Sequence, residues 1–361
     1  MRKDFLYKKL STKEIISDGA KIFHVLRWAH GIVVCPYCGS IHIKDYVDYH
    51  YRCLDCKRKF SDRTRTLMHG SKLPVGVWME ALYEVISNNF VSSIELSLRL
   101  HINQKSAWLL LSKIRFGLSQ DDYVLRGIVS QDEMYIGGSL CNYHYGRKLK
   151  LLRDNHYLLP NEIRYTKEDI MHLNADIKQP VFGMNDGERI VLYAMPNPIK
   201  KEYIRGIARM HVTSDSITIS DSSKLYYGWE KATGLKIYIN NHKKNQYKTK
   251  EGYTSNGIEN TFSWFKRGFG ARITHCKYHQ LYLNEFVFRY NTRHMGTRER
   301  FGEAVRHMVG RTATYSKIRA YNPFERFDVK VKNSLTTEDI NMLLSYGIVE
   351  SVRQNGKVFV K

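Results

Sequence analysis

The sequence has a deficit of acidic residues, with 35 Asp and Glu against 57 Lys and Arg, and its formal net charge is +22. A surplus of positive charge this large favours a polyanionic partner, and double-stranded DNA is the simplest candidate. Charge alone leaves an alternative, a ribosomal-type or merely solubilising basic surface. Binding through many phosphates would weaken steeply with added salt, because counterions are released on binding.

Long apolar runs are also missing. No window reaches the roughly 18 apolar residues of a membrane span, and the segment 1–9 lacks the apolar core of a signal peptide. The chain has only six cysteines, and their spacing does not resemble a secreted disulfide framework. We therefore expect a cytoplasmic, nucleoid-associated bacterial protein that is not secreted and has no membrane partner. Its 361 residues, 43% of them hydrophobic, allow two or three domains with cores of their own.

Four of the cysteines form two CxxC pairs: Cys35, Cys38, Cys53 and Cys56. Two such pairs suit the tetrahedral coordination of one structural zinc ion. The alternating residues 46–52 predict a short hairpin strand between the pairs, so we expect a zinc ribbon over 31–66. His50 is expected at the surface, because four thiolates already fill the zinc. Cys141 and Cys276 are expected to be free thiols.

Helices are predicted on both sides of the ribbon. An N-terminal region, 1–30, contains a helix over 11–30 that Gly31 ends. A second region, 67–125, is predicted to be helical and to bind DNA. Within it, 92–117 shows two helices separated by a break at 101–103, which is consistent with a helix-turn-helix whose second helix reads DNA. Two packed helices without a DNA role are the alternative.

From residue 126 to 300 the pattern alternates between strands and helices. The predicted order is a strand, a hairpin pair, then helix, strand, helix, strand and helix. This order predicts an α/β domain with a mixed five-stranded sheet and flanking helices, in ribonuclease-H-like (integrase-type) order. The segment 139–180 is predicted to be an insertion or long loop. A C-terminal extension, 301–361, is predicted to hold a helix over 337–346 and a terminal strand pair, with no assigned role.

Three acidic residues occupy positions that such a sheet would bring together: Asp132 in the first strand, Asp221 at the end of the fourth, and Glu259 near the start of the helix after the fifth. Three converging carboxylates repel one another unless cations neutralise them. Hard oxygen ligands favour magnesium or manganese, and two such ions about 3.5–4 Å apart suit phosphodiester chemistry. Taken singly, a strand Asp is usually a cap or turn residue.

Beside a polar stripe, the helix that carries Glu259 has an apolar one at spacings of 4, 3 and 4 residues: Ile258, Phe262, Phe265 and Phe269. Asn256, Glu259, Ser263 and Lys266 recur at spacings of 3, 4 and 3 residues. Glu259 can then face the metal ions while Asn256 orients it and Lys266 contacts a DNA phosphate. The alternative for Glu259 and Lys266 is an ordinary solvated helix face.

Five motifs together resemble one family: residues 130–138, Ser220-Asp221, Asn241-His242, residues 255–268 and residues 284–293. The sequence is similar to insertion-sequence DDE transposases with an N-terminal zinc ribbon and an ISXO2-like transposase domain, which are related to eukaryotic Merlin transposases.

The resemblance implies a ribonuclease-H-like domain and magnesium-dependent DNA strand transfer. Asp132, Asp221 and Glu259 would be the catalytic and metal-binding residues. Asn256, Lys266 and His242 would be accessory. Some related sequences are described with Asn as the third catalytic residue, so the division between Asn256 and Glu259 stays open.

Further candidates surround this set. Glu133 should point to the opposite strand face from Asp132, as a support for the site or a partner for a neighbouring base. His242 is a general acid, a phosphate contact or a loop histidine. Arg289 and Arg293 either clamp phosphate or pair with Glu285 on a structural helix. The predicted DNA-binding residues are Lys266, Arg267, Arg289 and Arg293.

The sequence thus predicts a transposase that binds terminal inverted repeats and catalyses metal-dependent cleavage and strand transfer. It would use one structural zinc ion and, in the active site, two magnesium or manganese ions. Its partners would be the element ends, target DNA and further copies of itself. The alternatives are an inactive or domesticated DNA-binding regulator, and a nuclease of the same fold without strand transfer.

Overall fold

A computed structural model describes residues 18–28, 31–87, 90–137, 143–159, 161–162, 164–240, 254–270 and 278–324, together with two short strands near the C-terminus. The chain divides into two compact units, Met1–Ala320 and Tyr321–Lys361. Every element discussed below belongs to the first unit, except the two C-terminal strands.

The first described helix, α1, covers Gly19–Arg27. The prediction that Gly31 ends this helix is wrong, because α1 already ends at Arg27. There the Trp28 indole donates to Asp62 Oδ1 at 2.8 Å, and the Arg27 guanidinium donates to Thr64 O at 2.9 Å. These bonds fix α1 to the ribbon that follows it. Residues 11–17 of the predicted helix lie outside the described residues.

The ribbon contains a three-stranded antiparallel sheet: β1 is Ile43–Asp45, β2 is His50–Cys53 and β3 is Lys59–Ser61. The prediction of a strand over 46–52 is wrong in its first half. Asp48 and Tyr49 adopt left-handed backbone angles, with φ of 57° and 58°, and turn the chain before β2 begins. His50 is exposed, as predicted.

Three helices follow: α2 (Val75–Ser87), α3 (Ser93–Leu100) and α4 (Gln104–Gly117). The predicted break between α3 and α4 is confirmed. Ser92 caps α3 through the amide of Glu95, and Asn103 caps α4 through the amide of Lys105. His101 ends α3 in the left-handed conformation, with φ of 52°. The first residues of α4 are exposed and its second half is buried, so a DNA-reading role for this helix stays a prediction.

The predicted five-stranded mixed sheet is confirmed. Its strands are β4 (Ile128–Ile136), β5 (Gln179–Asn185), β6 (Ile190–Ala194), β7 (Ile217–Asp221) and β8 (Lys236–Asn240). They lie in the order β6-β5-β4-β7-β8. The pairs β4–β5 and β5–β6 are antiparallel, whereas β4–β7 and β7–β8 are parallel. The central strand β4 pairs with β7 through its first residues only and runs on to Ile136, past the last residue of β7, Asp221.

The helices around this sheet are α7 (Lys201–His211), the short α8 (Trp229–Thr233), α9 (Asn256–Phe265) and α10 (His279–Asn291). Residues 266–270 continue α9 as one wider π turn. The buried apolar residues of α9 are Ile258, Phe262 and Phe265, which pack with Met134, Ile136 and residues of α10. The predicted apolar stripe of α9 is thus the face that covers β4.

Of the two alternatives predicted for 139–180, the long loop is wrong for most of that segment, and the insertion stays a prediction. The segment contains α5 (Tyr145–Asp154) and α6 (Lys167–Ile177), and its last residues enter β5. Buried Leu152 and Leu173 join the two helices in a small core. The dense basic residues of α5 concealed its apolar period, because only one narrow stripe of leucines is buried. Residues 139–142 lie outside the described residues.

Two helices after the sheet were not predicted: α11 (Thr297–Met308) and α12 (Tyr315–Arg319). The amide of Leu67 donates to Met308 O at 3.0 Å, and the rings of Tyr83 and Phe301 lie 6.5 Å apart. α11 therefore packs on the helical region that precedes the sheet, and the predicted boundary at residue 301 falls within it.

The second unit contains an antiparallel strand pair, β9 (Val349–Val352) and β10 (Val358–Val360). The predicted terminal strand pair is confirmed, and the helix predicted over 337–346 lies outside the described residues. Within the part of the chain that the structure describes, no helix is both long and apolar enough to span a bilayer.

Candidate metal centres

The register of the sheet brings Asp132 and Asp221 to the same place. Ser130 of β4 pairs with Ile219 of β7 in parallel register, and two further residues along each strand lead to Asp132 and Asp221. Registered residues of parallel strands point to the same face. Their side chains therefore lie side by side where β4 and β7 meet, as the sequence predicted.

Glu133 joins them. One carboxylate oxygen from each of Asp132, Glu133 and Asp221 lies within 4.8 Å of the others. Glu133 belongs to the opposite face of β4, as predicted, but its longer side chain reaches the same edge. The buried Tyr226 hydroxyl donates to Glu133 Oε1 and holds it there.

The electrostatics of this cluster favour a bound cation. The pKa of Glu133 is raised to about 7, chiefly by burial; the charges of Asp132 and Asp221 also raise it, and the Tyr226 hydrogen bond lowers it. Three carboxyl groups so close together repel when ionised, and a divalent cation with hard oxygen ligands relieves this repulsion. The donor set thus fits magnesium or manganese.

Helix α9 begins over the same face of the sheet. The Asn185 amide donates to Gly257 O at 2.9 Å and to Thr261 Oγ1 at 2.8 Å, which docks the first turn on the end of β5. A Cβ on Gly257 would lie 3.1 Å from Ser130 Oγ, so the absence of a side chain allows this close approach.

Gly183 of β5 likewise allows α9 to lie close to the sheet, further along the helix. It is the register partner of Asp132 on β5, and a Cβ there would lie 2.8 Å from the Phe262 ring and 2.9 Å from Ile258 Cδ1. The two buried side chains of α9 therefore rest directly beside the strand position of Asp132. This contact shows that Asp132 and α9 share one face of the sheet.

Glu259 and Asn256 lie in the first turn of α9 and are exposed. Glu259 Oε1 accepts a hydrogen bond from Ser255 Oγ at 2.8 Å. The compact cluster among the described residues consists of Asp132, Glu133 and Asp221, without Glu259. A metal-binding role for Glu259, and the choice between it and Asn256, stay predictions.

The predicted phosphate contacts have mixed surroundings. Lys266 and Arg267 are exposed beyond the end of α9. By contrast, Arg289 donates to Val85 O at 2.9 Å, and Arg293 donates to the carbonyls of the β5–β6 turn at 2.6 and 3.1 Å. These two arginines therefore already bond with the protein backbone. DNA contact by any of the four stays a prediction, and His242 lies outside the described residues.

Glu285 has a different partner from the arginines proposed for it. Arg115 of α4 donates from Nε to Glu285 Oε2 at 2.7 Å, and both side chains are almost fully buried. The Arg115 guanidinium also lies 4.2 Å from the Tyr282 ring centroid. This ion pair joins the helical region to α10.

The four ribbon cysteines form the second centre, and their sulfurs all lie within 4.8 Å of one another. Cys35 and Cys56 are 3.7 Å apart and Cys38 and Cys53 are 3.6 Å apart, measured between Sγ atoms. A tetrahedron with Zn–S bonds of about 2.3 Å has S–S edges of roughly 3.8 Å. The thiolates thus fit a zinc ion, and the separations are far longer than the bond of about 2.05 Å in a disulfide.

The segment that contains the acidic site is similar to a known protein family. Residues 124–291 match the family model described as the ISXO2-like transposase domain. The predicted resemblance to insertion-sequence transposases is confirmed. The segment similar to these transposases runs from before β4 to the end of α10 and includes Asp132, Glu133, Asp221 and Glu259.

One relative is described as "Uncharacterized protein in transposable element ISH50", from Halobacterium salinarum. It is 29% identical to this chain over 191 residues, which cover 50% of this chain and 60% of the relative. The chain therefore spans less than two thirds of that relative. No solved structure matches the chain.

Proposed function

We propose that this protein is a DNA transposase of an insertion sequence, and that it binds the ends of the element, cleaves a strand there and joins it to target DNA. The observation that carries the proposal is the meeting of Asp132 and Asp221 at one sheet edge, with α9 docked on the same face and Glu259 in its first turn. The match of residues 124–291 to the ISXO2-like transposase domain, a segment that contains this site, also supports the proposal.

A ribonuclease-H-like fold for this segment is part of the proposal. The strand order β6-β5-β4-β7-β8, with three antiparallel strands followed by two parallel ones, supports it. In sheets of this kind, functional residues at the carboxyl ends of neighbouring parallel strands lie together. Asp221 is the last residue of β7, and Asp132 lies beside it on β4, which runs on to Ile136.

The residues have separate tasks in the proposed reaction. Asp132, Asp221 and Glu259 hold the divalent ions, for which Asn256 is the alternative third ligand. The ions, when bound, would supply the positive charge that stabilises the attacking and leaving oxygens of a phosphodiester. Glu133, fixed by Tyr226, adds a further carboxyl group to the cluster.

DNA binding is proposed for two parts of the chain. The exposed Lys266 and Arg267 continue from α9 next to the acidic site and suit phosphate contacts beside the reacting strand. The ribbon, with one zinc ion on its four thiolates, and the helical region α2–α4 would recognise the element ends. Joining two ends at once requires at least two copies of the chain in the assembled complex.

Incubation of purified protein with a labelled DNA duplex from each flank of its gene, and with magnesium, tests the proposal. We expect nicking at the element end followed by a joined product with target DNA. Nicking without joining would favour the alternative of a nuclease, and a mobility shift without either product would favour a DNA-binding regulator. Absence of all three would contradict the proposal.

Substitution of the site separates catalysis from binding. Asp132→Asn and Asp221→Asn should each abolish cleavage and leave DNA binding intact, because they remove a ligand charge without changing side-chain size. Glu188→Gln, at an exposed acidic residue on the β5–β6 turn, is the matched control and should cleave normally. Cleavage by Asp132→Asn at the wild-type rate would refute the site assignment.

A further inference from the structure

We propose that Asn240 is a further ligand of the divalent-cation site, with its Oδ1 directed at the ion. This inference rests on the proposed function, since it requires the ion that Asp132 and Asp221 would hold. It adds a third neighbouring strand, β8, to a site that the sequence assigned to β4, β7 and α9.

The sheet register positions Asn240 beside the acidic cluster. Asn240 is the last residue of β8 and pairs with Asp221 in parallel register. Parallel partners in adjacent strands lie about 4.8 Å apart and point to the same face. Asp221 lies on the face of Asp132 and α9, so the Asn240 side chain lies on that face as well.

The burial of Asn240 needs an explanation. Its exposed fraction is 1%, and neither Oδ1 nor Nδ2 has a hydrogen-bond partner in the described structure. Buried amides almost always bond with protein or ordered water, because an unpaired one has lost its hydration without compensation. An amide in this condition directly beside Asp221, which itself lies next to Asp132, indicates a ligand that completes its bonding.

The chemistry of the amide selects that ligand. An Asn carbonyl oxygen is a hard donor of the kind that magnesium and manganese accept. It adds no negative charge to a cluster that already contains three carboxyl groups, so it raises the number of ligands without adding repulsion. Ser220, which precedes Asp221, is also buried, but alternation places it on the opposite face, with Tyr226.

Direct measurement of Mn²⁺ binding to the full chain tests this assignment without DNA or turnover. Free Mn²⁺ gives an electron paramagnetic resonance signal that is lost on binding, so titration yields a dissociation constant. We expect Asn240→Leu to raise this constant at least tenfold relative to the wild type. Asn240→Asp retains an oxygen donor and should bind Mn²⁺ at least as tightly as the wild type. Glu188→Gln, at an exposed acidic residue of the β5–β6 turn, is the control and should leave the constant unchanged.

Stability distinguishes ligand loss from misfolding. In buffer without Mn²⁺, Asn240→Leu should unfold at the same urea concentration as the wild type or a higher one, because it removes an unpaired buried amide. If the leucine lowers that midpoint, Asn240→Ala takes its place and should show the same loss of Mn²⁺ affinity.

The outcomes separate the two proposals. Wild-type affinity in both Asn240→Leu and Asn240→Ala, with affinity lost in Asp132→Asn, would overturn the role of Asn240 alone. Weak binding by Asn240→Asp, equal to that of the leucine variant, would also overturn it. Absence of Mn²⁺ binding in the wild type, or undiminished binding by Asp132→Asn, would overturn the metal centre of the proposed function and the role of Asn240 with it.

Discussion

Glu133→Gln tests the electrostatics of the acidic cluster through its effect on stability. Glu133 is held by the Tyr226 hydroxyl and lies within 4.8 Å of carboxylate oxygens of Asp132 and Asp221. Burial, more than its neighbours, raises its pKa from 4.5 to about 7. Glutamine has the same shape, accepts the same hydrogen bond and never ionises.

The sign of the effect follows from proton linkage. Because the pKa of Glu133 is higher in the folded than in the unfolded protein, the folded protein binds more protons between these two values. The stabilisation from the protonated carboxyl is complete below pH 4.5 and is lost as the pH rises to about 7. Each pKa unit corresponds to about 1.4 kcal/mol, so the loss reaches at most roughly 3 kcal/mol. Part of the side chain contacts solvent, which reduces that figure.

Urea unfolding of wild type and Glu133→Gln between pH 5 and pH 8, without magnesium or manganese, measures this difference. We expect similar free energies of unfolding at pH 5, and a more stable glutamine variant at pH 8. Glu188→Gln, an exposed control, should differ from wild type equally at every pH. A Glu133→Gln variant that is less stable than wild type at pH 8, or a difference that does not change with pH, would refute the reasoning.

Three further predictions concern the parts that support the site. Glu285→Ala leaves the buried Arg115 guanidinium without its ion-pair partner and should lower the free energy of unfolding by about 3–5 kcal/mol. Replacing both residues with apolar ones should cost far less. Equal losses for the two variants in a urea titration would contradict this. Gly183→Ala places a Cβ within 3.0 Å of Phe262, so it should lower the free energy of unfolding by about 1–3 kcal/mol and also reduce cleavage. Urea unfolding and the nicking assay measure these two effects. An unchanged urea midpoint would show that α9 does not rest on β5 as described. Cys53→Ser should lower the zinc content below one ion per chain and remove the protection of the ribbon amides from hydrogen exchange. The reason is that structural zinc contributes roughly 10–16 kcal/mol to the folding of such modules. Protection that persists without zinc would contradict a structural role for the ion.

Local patterns were sufficient to predict the elements that position the candidate site. The predicted strand 128–136 has the bounds of β4, because apolar residues and turn glycines delimit it. The 4, 3 spacing of Ile258, Phe262 and Phe265 identified the buried face of α9, since a helical period survives in any tertiary context.

Features that depend on non-local contacts were not predictable. From sequence alone, α11 was placed within a C-terminal extension, because this helix packs against α1 and α2, which lie more than 200 positions earlier in the chain. The sequence also gave no reason to single out Asn240. Its significance depends on the register between β7 and β8, which a single sequence does not specify.

The inclusion of Glu133 in the cluster shows how far alternation alone can be trusted. Strand alternation correctly assigned Glu133 to the face opposite Asp132, and for that reason Glu133 was given only a supporting role in the sequence analysis. At Glu133, however, the neighbouring strand β7 has already ended, so the long glutamate side chain reaches around β4 on that side, and Tyr226 holds it there. Face assignments are therefore less decisive where a strand runs on past the end of its neighbour.

The position of manganese in crystals grown with a DNA end and Mn²⁺, located by anomalous scattering, is the most direct test of metal-dependent DNA chemistry at this sheet edge. We expect manganese bonded to oxygens of both Asp132 and Asp221, next to a phosphate of the DNA strand. Manganese bound elsewhere, with these two aspartates making no metal contact, would contradict the proposed active site.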